Sequence, residues 1–546
     1  MILTIPNKNN NKMSKYSIIV IFLLHFGLNA QKTPFDLLIS PFEVQGVGGL
    51  QAFSYGQSEG KWLIIGGRLD GLHRRQPFAS FDIAGHNNRL TVVDPVNNQS
   101  WTSSLDGLQA NIKEQLSSTN MESIQEGNTL YLIGGYGYSE TQGDHTTFPF
   151  LTAIDVKGVI QAIINDQPIS AHIRQIKDDK FAVTGGYLHK IYDHFYLIGG
   201  QRFIGRYNPM GPTHGPGFIQ EYTNAIRKFV LRDEGQKLEV THLPEIVNKA
   251  LFHRRDYNVA PQIMPNGQEG LTAFSGVFQE NVDLPYLTCV NIDTTHYAIQ
   301  PEFNQYYNHY HCAHVPLYSA SGNEMHTLFF GGIAQYYEEN GLLVKDDNVP
   351  FVKTIARVTR KQGGSMAEYK LPIEMPGYLG AGSEFIPTPE MPMYPNGVIQ
   401  LDQLSNDTTL IGYIYGGISS SAPNIFFDNT GIESIANNQL FKVFLIFFED
   451  TGLHEVNPQS QNGLGLTIYP NPGKEIVQLK FNLPQTSDCT LQILDLNGKI
   501  LHTMSWHQLN EGEHQYSTMS KFENEHVLIF QLKAGQRVSS QKVIIN

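Results

Sequence analysis

A short apolar run that ends in a pair of glycines recurs along the middle of the sequence. A strand-like segment and a polar turn precede each copy, and an apolar segment, a turn and a short strand follow it, as in Leu90–Trp101. The intervals between copies are irregular, which indicates one supersecondary unit repeated with loops of variable length. The copies are Trp62–Gly67, Tyr131–Gly135, Phe195–Gly200, Leu328–Gly332 and Tyr413–Gly417, with a weaker copy at Thr272–Gly276.

The glycine pairs have a physical reason. Where neighbouring units pack at the end of an apolar strand, a side chain would collide with the adjacent backbone, and glycine also adopts backbone angles that other residues avoid. The fourth copy has Ser275 in place of its first glycine. We therefore predict a structural role for Gly66, Gly67, Gly134, Gly135, Gly199, Gly200, Gly276, Gly331, Gly332, Gly416 and Gly417.

Four-stranded units with this mark resemble the blades of kelch-type β-propellers, over residues 31–455. The resemblance implies an all-β ring of blades around a channel, and six copies predict six blades. Phe35–Ser40 is the candidate edge strand that joins the last blade and closes the ring. A seventh, unmarked blade would fit within Ala367–Met393, although the density of Pro and Gly there favours an extended loop.

Composition agrees with an all-β protein, since 41% of residues are hydrophobic and 16% charged, with 50 Gly, 26 Tyr and 31 Phe. The formal net charge is −13 and no run rich in Lys or Arg occurs, so we expect no nucleic-acid partner. Cys289, Cys312 and Cys489 are too few for a disulfide framework. One bridge between Cys289 and Cys312 is an alternative to the free, buried thiols that we favour.

The N-terminal region, residues 1–30, has the features of an export signal. Residues 16–28 are apolar and follow Lys15, and cleavage is expected after Ala30. The apolar run is shorter than the roughly 20 residues that span a bilayer, so we expect no integral membrane segment after cleavage. Translation starts at Met1 or at Met13, and the sequence leaves both open.

The character of the sequence changes after a linker at residues 456–465. Residues 466–546 contain alternating apolar and polar positions in segments 476–481, 490–496, 527–532 and 541–546, which predicts a small β-sandwich. Three motifs in this region resemble the type A sorting domain of the type IX secretion system: Ile468–Pro472, Leu494–Lys499 and the closing Lys542–Ile545. The motif residues are Tyr469, Pro470, Asn471, Pro472, Asp495, Asn497, Gly498 and Lys542.

This second resemblance implies a route and a partner. The protein would reach the periplasm through its signal peptide and cross the outer membrane when the type IX secretion machinery recognises the C-terminal domain. Cleavage would follow, with either release or attachment to the cell surface. An accessory β-sandwich that binds some other molecule is the alternative.

Two polar stretches are the candidate ligand-binding segments of the propeller. His253–Tyr257 and His309–His314 each precede or open an inner strand, and together they would line the channel entrance with a ring suited to an anionic or sugar ligand. A solvated strand edge, with Arg paired to Asp256, is the alternative. The loop Asp70–Arg75 has a similar composition. The candidate residues are Arg254, Arg255, Tyr257, His309, His311, His73 and Arg74.

The metal and catalytic signals are weak. On a strand, His309 and His311 would face the same side, but no third ligand is evident, so we predict no metal or other cofactor. No catalytic motif such as G-x-S-x-G or H-E-x-x-H occurs, and no catalytic residue is assigned.

Three classes of function are compatible with the sequence. The leading hypothesis is a secreted or surface-attached protein that binds a protein or glycan partner on the propeller face. The alternative is a kelch-like secreted enzyme that acts on a sugar, either mutarotase- or isomerase-like or, less favoured, a copper oxidase whose cross-linked cysteine would be Cys289 or Cys312. A purely structural surface component is the third class.

Overall fold

The computed structural model describes residues 34–76, 78–211, 217–235, 237–404, 408–447, 464–473, 476–495, 499–520, 522, 527–535 and 537–545. The expected signal peptide region and most of the expected linker lie outside these residues. The protein is mostly β-strand. No helix of the described part is both long and apolar enough to cross a membrane.

Six sheets, each built on four antiparallel strands, follow one another along the described part of the N-terminal 447 residues. We number them in chain order and give their strands from the innermost outwards. Sheet 1 contains Ser54–Ser58, Lys61–Ile65, Arg89–Asp94 and Gln99–Ser104; sheet 2 contains Thr119–Glu126, Thr129–Ser139, Phe150–Asp155 and Ile173–Lys177; sheet 3 contains Tyr187–Ile191, His194–Ile198, Ala225–Asp233 and Leu238–His242. Sheet 4 contains Asn258–Ile263, Glu269–Phe274, Val290–Ile292 and Tyr297–Ile299; sheet 5 contains His314–Ser319, Glu324–Phe330, Thr354–Arg360 and Met366–Glu374; sheet 6 contains Ser383–Pro387, Thr408–Gly416, Leu440–Ile446 and Asp36–Phe42.

Shorter elements decorate these sheets. Three short strands are added to sheet 2 beside its second strand, in the order Asp144–Thr147, Gln201–Ile204 and Ile219–Tyr222. Two hairpins lie in the loops of sheets 5 and 6. The hairpins are Tyr336–Glu339 with Leu342–Lys345 and Ile418–Ser420 with Ser434–Ala436, the remaining short strands are Ile246–Val247 and Ile399–Gln400, and the helices are Ala110–Leu116, Val156–Ile164 and Lys249–Phe252.

The apolar runs of the repeat are continuous because their strands are buried on both faces. Side chains alternate along a strand, so Leu130 and Leu132 pack with Leu63 of sheet 1, whereas Tyr131 and Ile133 face the opposite way. Comparable clusters lie between every two consecutive sheets. The last of them returns from sheet 6 to sheet 1 and contains Trp62, Ile64, Tyr413, Tyr415 and Leu440.

The N-terminal strand completes sheet 6. Asp36–Phe42 pairs antiparallel with Leu440–Ile446, from Asp36 opposite Ile446 to Phe42 opposite Leu440. The prediction that the segment at Phe35–Ser40 supplies an edge strand to the last unit is therefore confirmed. This pairing covers the outer edge of Leu440–Ile446 and ties the two ends of the region together.

Six backbone hydrogen bonds pass from each sheet to the next and return to the first. Each joins residues at or just before the start of an innermost strand, with N···O distances between 2.7 and 3.4 Å. Five of the six residues adopt positive φ, and His311 is the exception. The bonds run from the N–H of Ala52 to Gly382 O, Gly382 to His311 O, His311 to Asp256 O, Asp256 to Gly185 O, Gly185 to Asn120 O and Asn120 to Ala52 O.

The marker glycines lie where the next sheet begins. A Cβ atom on Gly134 would lie 1.8 Å from the carbonyl oxygen of Val183, which leads into sheet 3, and one on Gly331 would lie 2.1 Å from that of Leu379, which leads into sheet 6. Any side chain would force the two sheets apart. In the fourth copy Ser275 keeps a φ of 48° and donates a hydrogen bond from its hydroxyl to Tyr286 O.

The interval from Ala367 to Met393 differs from both sequence-based alternatives for it. It forms neither a separate sheet nor one extended loop, because Met366–Glu374 is the outermost strand of sheet 5 and Ser383–Pro387 is the innermost strand of sheet 6. The Gly residues lie in the connection between these strands, whereas Pro372 and Pro387 lie within the strands.

The three cysteines are free and buried. The alternative of a bridge between Cys289 and Cys312 is therefore wrong. Burial raises the pKa of both thiols to about 12. Both side chains lie in the apolar cluster between sheets 4 and 5, so they act as small core residues.

The C-terminal region contains two sheets that share one core. The first has strands Thr467–Tyr469, Ile476–Leu483 and Gly512–Met519, and the second has Ile500–Leu509, Ser487–Leu494, Val527–Ala534 and Arg537–Ile544. Alternate apolar residues of both sheets face each other. The buried set includes Val477, Leu479, Phe481, Leu491, Ile493, Leu528, Phe530, Leu532 and Val543.

The close approach of neighbouring sheets predicts a large cost for one glycine substitution. Gly134→Ala places a methyl group against Val183 O, whereas Gly143→Ala, at a similar positive φ, meets no atom within 4 Å. We expect Gly143→Ala to lower the free energy of unfolding by about 1 kcal/mol through backbone strain alone, and Gly134→Ala to lose about 1–3 kcal/mol more. Denaturant unfolding monitored by tryptophan fluorescence measures both, and equal losses would contradict the packing role.

Candidate functional site

The innermost strands of all six sheets line one cavity of about 870 Å³. Its mouth lies among the hairpin turns that follow these strands, where Tyr192 and Asp193 are exposed. Its inner end lies at the circuit of six hydrogen bonds, where Glu122 and Asp256 are buried. The sheets therefore enclose a site that runs from exposed turns to a buried inner end.

A loop of sheet 6 forms part of the mouth. Tyr394–Gly397 line the cavity, and Ile399–Gln400 pairs in parallel with Leu317–Tyr318 of the innermost strand of sheet 5. The side-chain amide of Asn396 donates a hydrogen bond to Gln262 O of sheet 4. These contacts hold the loop against the ends of two neighbouring sheets.

Asp256 connects the inner end of the cavity with the loops above it. Its Oδ2 lies 2.7 Å from Nη1 of Arg255, whose Nε donates to the hydroxyl of Tyr222 and whose guanidinium stacks on the ring of Phe278. A Cβ on Gly185 would lie 2.6 Å from Oδ1 of Asp256, so glycine leaves room for the carboxylate. Arg255 is paired to Asp256. This ion pair is the one that the sequence-based alternative, a strand edge in place of a ligand site, assumes.

His311 and Glu384 form a second pair at the inner end. Nε2 of His311 lies 2.9 Å from Oε1 of Glu384. Burial lowers the pKa of His311, but the attraction of Glu384 and the hydrogen bond to it outweigh burial and leave the pKa above its ordinary value. The ion pair with Glu384 therefore favours the charged form of the imidazole.

The other two histidines of this stretch have different surroundings. His309 is buried, with Nε2 near Gln305 O at 2.9 Å and Nδ1 accepting from the N–H of Gln335 at 3.1 Å. His314 lines the cavity, its Nε2 lies 3.2 Å from the hydroxyl of Tyr187, and burial lowers its pKa to about 4.

His309 and His311 do not have the arrangement expected on a strand, in which they would face the same side. Residues 309–312 precede the strand His314–Ser319, so side chains two apart need not face the same side. Both ring nitrogens of His309 are already used by protein groups. Among the described residues, no group of three or more His, Cys, Asp and Glu is arranged to hold a metal ion.

Arg254 and Tyr257 serve the packing around the cavity. The buried guanidinium of Arg254 donates to the carbonyl oxygens of Leu251 and Ser275 and to two oxygens of Thr288. The hydroxyl of Tyr257 donates to Ile198 O at 2.8 Å, while the residue also lines the cavity. Arg254 and Arg255 thus point in opposite directions, and neither Arg254 nor His309 is among the cavity-lining residues.

Glu122 is a cavity-lining residue that the sequence reasoning missed. It is 3% exposed, its Oε1 accepts a hydrogen bond from the N–H of Gly186, and its Oε2 has no partner among the described residues. Burial raises the pKa of this carboxyl well above its ordinary value, although the Gly186 hydrogen bond opposes the shift. The available signal was a carboxylate within the innermost strand of a repeat unit, at a position where the strand is buried.

A second candidate surface lies on the loops at the opposite end of the sheets. We call residues 68–88 and 418–439 the loop pair. The amide of Asn429 donates to the carbonyl oxygens of Leu72 and His73, the N–H of Leu72 donates to Ser434 Oγ, and Asp70 forms a β-bridge with Ile435. The two loops are therefore fixed to each other.

The loop pair carries exposed apolar side chains beside the predicted residues His73 and Arg74. His73 is half-buried between the rings of Phe81 and Tyr207, and burial, together with the nearby Arg255, lowers its pKa to about 4. Arg74 is exposed. The exposed apolar residues are Leu69, Phe78, Ile83, Phe427, Ile432 and Ile435, and Phe78, Phe427 and Ile432 are 70%, 63% and 86% exposed.

The first and the last of the three C-terminal motifs meet in space. The amide of Asn471 donates to Lys542 O, and its Oδ1 accepts from the N–H of Ile544. In the second motif, the carboxylate of Asp495 accepts a hydrogen bond from the N–H of Lys499, and the N–H of Asp495 donates to Lys499 O. Asn497 and Gly498 of the same motif lie outside the described residues. The first and last motifs therefore form one surface of the C-terminal sandwich.

Comparison with known proteins identifies this region. Residues 467–546 match the family of the secretion system C-terminal sorting domain. No curated protein matches the chain. Among solved structures, that of YjhT is 10% identical with a TM-score of 0.40 and covers 74% of this chain and 97% of its own. A fungal alcohol oxidase of the AA5 family, in complex with copper, is 9% identical with a TM-score of 0.36 and covers 94% of this chain and 100% of its own.

The family match carries a conclusion about destination. A domain of this family addresses its chain to the type IX secretion machinery, which implies secretion or location on the outer surface of the cell. The C-terminal region of this chain is a type IX secretion sorting domain.

Proposed function

We propose that this chain is an exported, six-bladed, kelch-like β-propeller that binds a protein partner through its loop pair. Each four-stranded sheet is one blade in this proposal. The circuit of six interblade hydrogen bonds supports the number of blades, and the pairing of Asp36–Phe42 with Leu440–Ile446 supports closure of the ring. The sorting domain delivers this ring to the outside of the cell.

The observation that carries the binding proposal is the exposed apolar surface of the loop pair. Six large apolar side chains stand in water on two loops that are fixed to each other, although a rigid monomer gains nothing from exposing them. Arg75 stacks on the ring of Phe427 at 4.8 Å, and Arg74 is exposed nearby. Apolar residues combined with arginine are typical of the centre of a protein interface.

The composition of the surface favours a protein over a glycan. Sugar rings stack on aromatic faces, but four of the six exposed residues are Leu or Ile, which offer no such face. Arg74 and Arg75, beside the apolar residues, favour a partner whose apolar segment includes a carboxylate. Binding of a glycan is the alternative that the experiment must distinguish from binding of a protein.

Site-specific photo-crosslinking tests the partner proposal. The full chain, with Phe427→p-benzoylphenylalanine, is secreted by its own bacterium and irradiated. We expect a discrete adduct that protease removes, because Phe427 is buried in the complex. Val96, which is 78% exposed in a turn of sheet 1, carries the same substitution as the matched control and should give no such adduct.

Other outcomes of this experiment are decisive as well. Equal adducts at Phe427 and Val96, or none at Phe427, contradict a specific interface on the loop pair. An adduct that glycosidases remove but protease leaves intact assigns the surface to a glycan.

The sorting domain predicts where a truncated chain accumulates. Deletion of residues 466–546 should trap the protein in the periplasm, because the address for outer-membrane transport is lost. Cell fractionation with immunoblotting measures the distribution, and normal appearance of the truncated chain outside the cell would refute the proposed route.

A point variant tests the joined motifs within the sorting domain. Asn471→Ala removes two hydrogen bonds to the last strand and should destabilise the domain by about 1–3 kcal/mol and reduce export. Asn510→Ala, in an exposed turn, is the matched control and should be exported normally. Export of both variants at the level of the parent chain would show that the contact between motifs is dispensable.

A further inference from the structure

The cavity of the propeller is strongly acidic. One lysine, Lys190, lies among its described lining residues, and no arginine does. Six carboxyl groups line the same space. They belong to Glu122, Glu126, Asp193, Asp256, Glu269 and Glu384.

Only half of these carboxylates have a cationic partner within the described residues. Glu126 pairs with Lys190, Asp256 with Arg255 and Glu384 with His311. The other three form no ion pair with a described residue. The negative charge of the cavity is therefore not balanced by the protein, and a low-dielectric wall around the charges strengthens their field.

Glu122 adds an independent observation at the buried end. The residue is only 3% exposed, and Oε2 of its carboxyl group lacks any partner among the described residues. A buried polar atom without a partner costs free energy, so its presence indicates a group that joins it in the functional state. Glu122 and Asp256 both line this end of the cavity, so a positive group bound there would stabilise the charged form of both carboxyl groups.

Aromatic residues complete the lining. Tyr55, Tyr187, Tyr192 and Tyr394 lie along the cavity with Phe385. The face of an aromatic ring attracts a cation, and the combination of ring faces with carboxylates favours ammonium and guanidinium groups. The anionic ligand considered from the sequence does not fit, because Arg254 points away from the cavity and Arg255 is paired on its far side.

We propose that the cavity binds an organic cation that carries ammonium or guanidinium groups, with the carboxylates at its inner end as acceptors. A neutral sugar would leave the buried charges unbalanced. A cation both balances these charges and donates a hydrogen bond to Oε2 of Glu122. The cation is either a free polyamine or a basic side chain of a peptide. The proposal concerns the cavity and is independent of the partner on the loop pair.

Calorimetric titration of the full mature chain tests the ligand class. The probes are spermidine for a free polyamine, trilysine amide for a peptide, maltotriose for a neutral sugar and triglutamate for an anion. We expect one of the two cations to bind with a stoichiometry near one, and its affinity to fall as salt is raised. Binding of spermidine alone assigns a polyamine, and binding of trilysine amide alone assigns a peptide.

Two variants locate the binding site. Glu122→Gln keeps an oxygen for the Gly186 hydrogen bond, and Glu384→Gln removes the charge opposite His311; each should weaken cation binding by at least about tenfold. Glu239→Gln, on the outermost strand of sheet 3, removes an exposed carboxylate and should leave binding unchanged.

Several results would overturn the proposal. Failure of the parent chain to bind either cation does so without any variant, and tighter binding of maltotriose or triglutamate assigns the cavity to another class. Equal affinities of the parent chain, Glu122→Gln and Glu384→Gln place the cation outside the cavity.

Discussion

The backbone circuit at the start of the innermost strands fixes where every sheet begins. Each of its residues donates its N–H to one neighbouring sheet and accepts from the other, so no sheet can shift without breaking two hydrogen bonds. Most members adopt a left-handed conformation, which is uncommon for residues such as Ala52 and Asp256. The surrounding sheets must over-determine these conformations for them to persist.

The same constraint positions the candidate site. Asp256 and His311 belong to the circuit and also line the cavity, so the circuit fixes the positions from which their side chains enter the cavity. The placement of Asp256 also explains its ion pair with Arg255, which reaches the carboxylate from the side of the loops. Glu384 meets His311 from the next sheet. Backbone geometry thus assembles charges from three sheets at the inner end of one cavity.

The protein has two surfaces with different chemistry. The loop pair carries exposed apolar residues and arginines, which suit the protein partner that we propose, whereas the cavity carries carboxylates and aromatic rings, which suit the cation that we propose. A hydrogen-bonded layer separates them. The sorting domain has a separate role, because a domain of its family serves transport.

Local patterns in the sequence determined the repeat unit, the edge strand at Phe35–Ser40 and the C-terminal motifs, because strand burial on both faces and glycine at close contacts leave a signature in consecutive residues. Arg254 and Arg255 show the limit of such patterns. Both were candidate ligand-binding residues, and only the tertiary structure shows that Arg254 binds backbone oxygens, that Arg255 pairs with Asp256 and that neither lines the cavity. Glu122 carries no motif. Its importance depends on burial and on an oxygen without a partner, and both arise only when neighbouring sheets close around it.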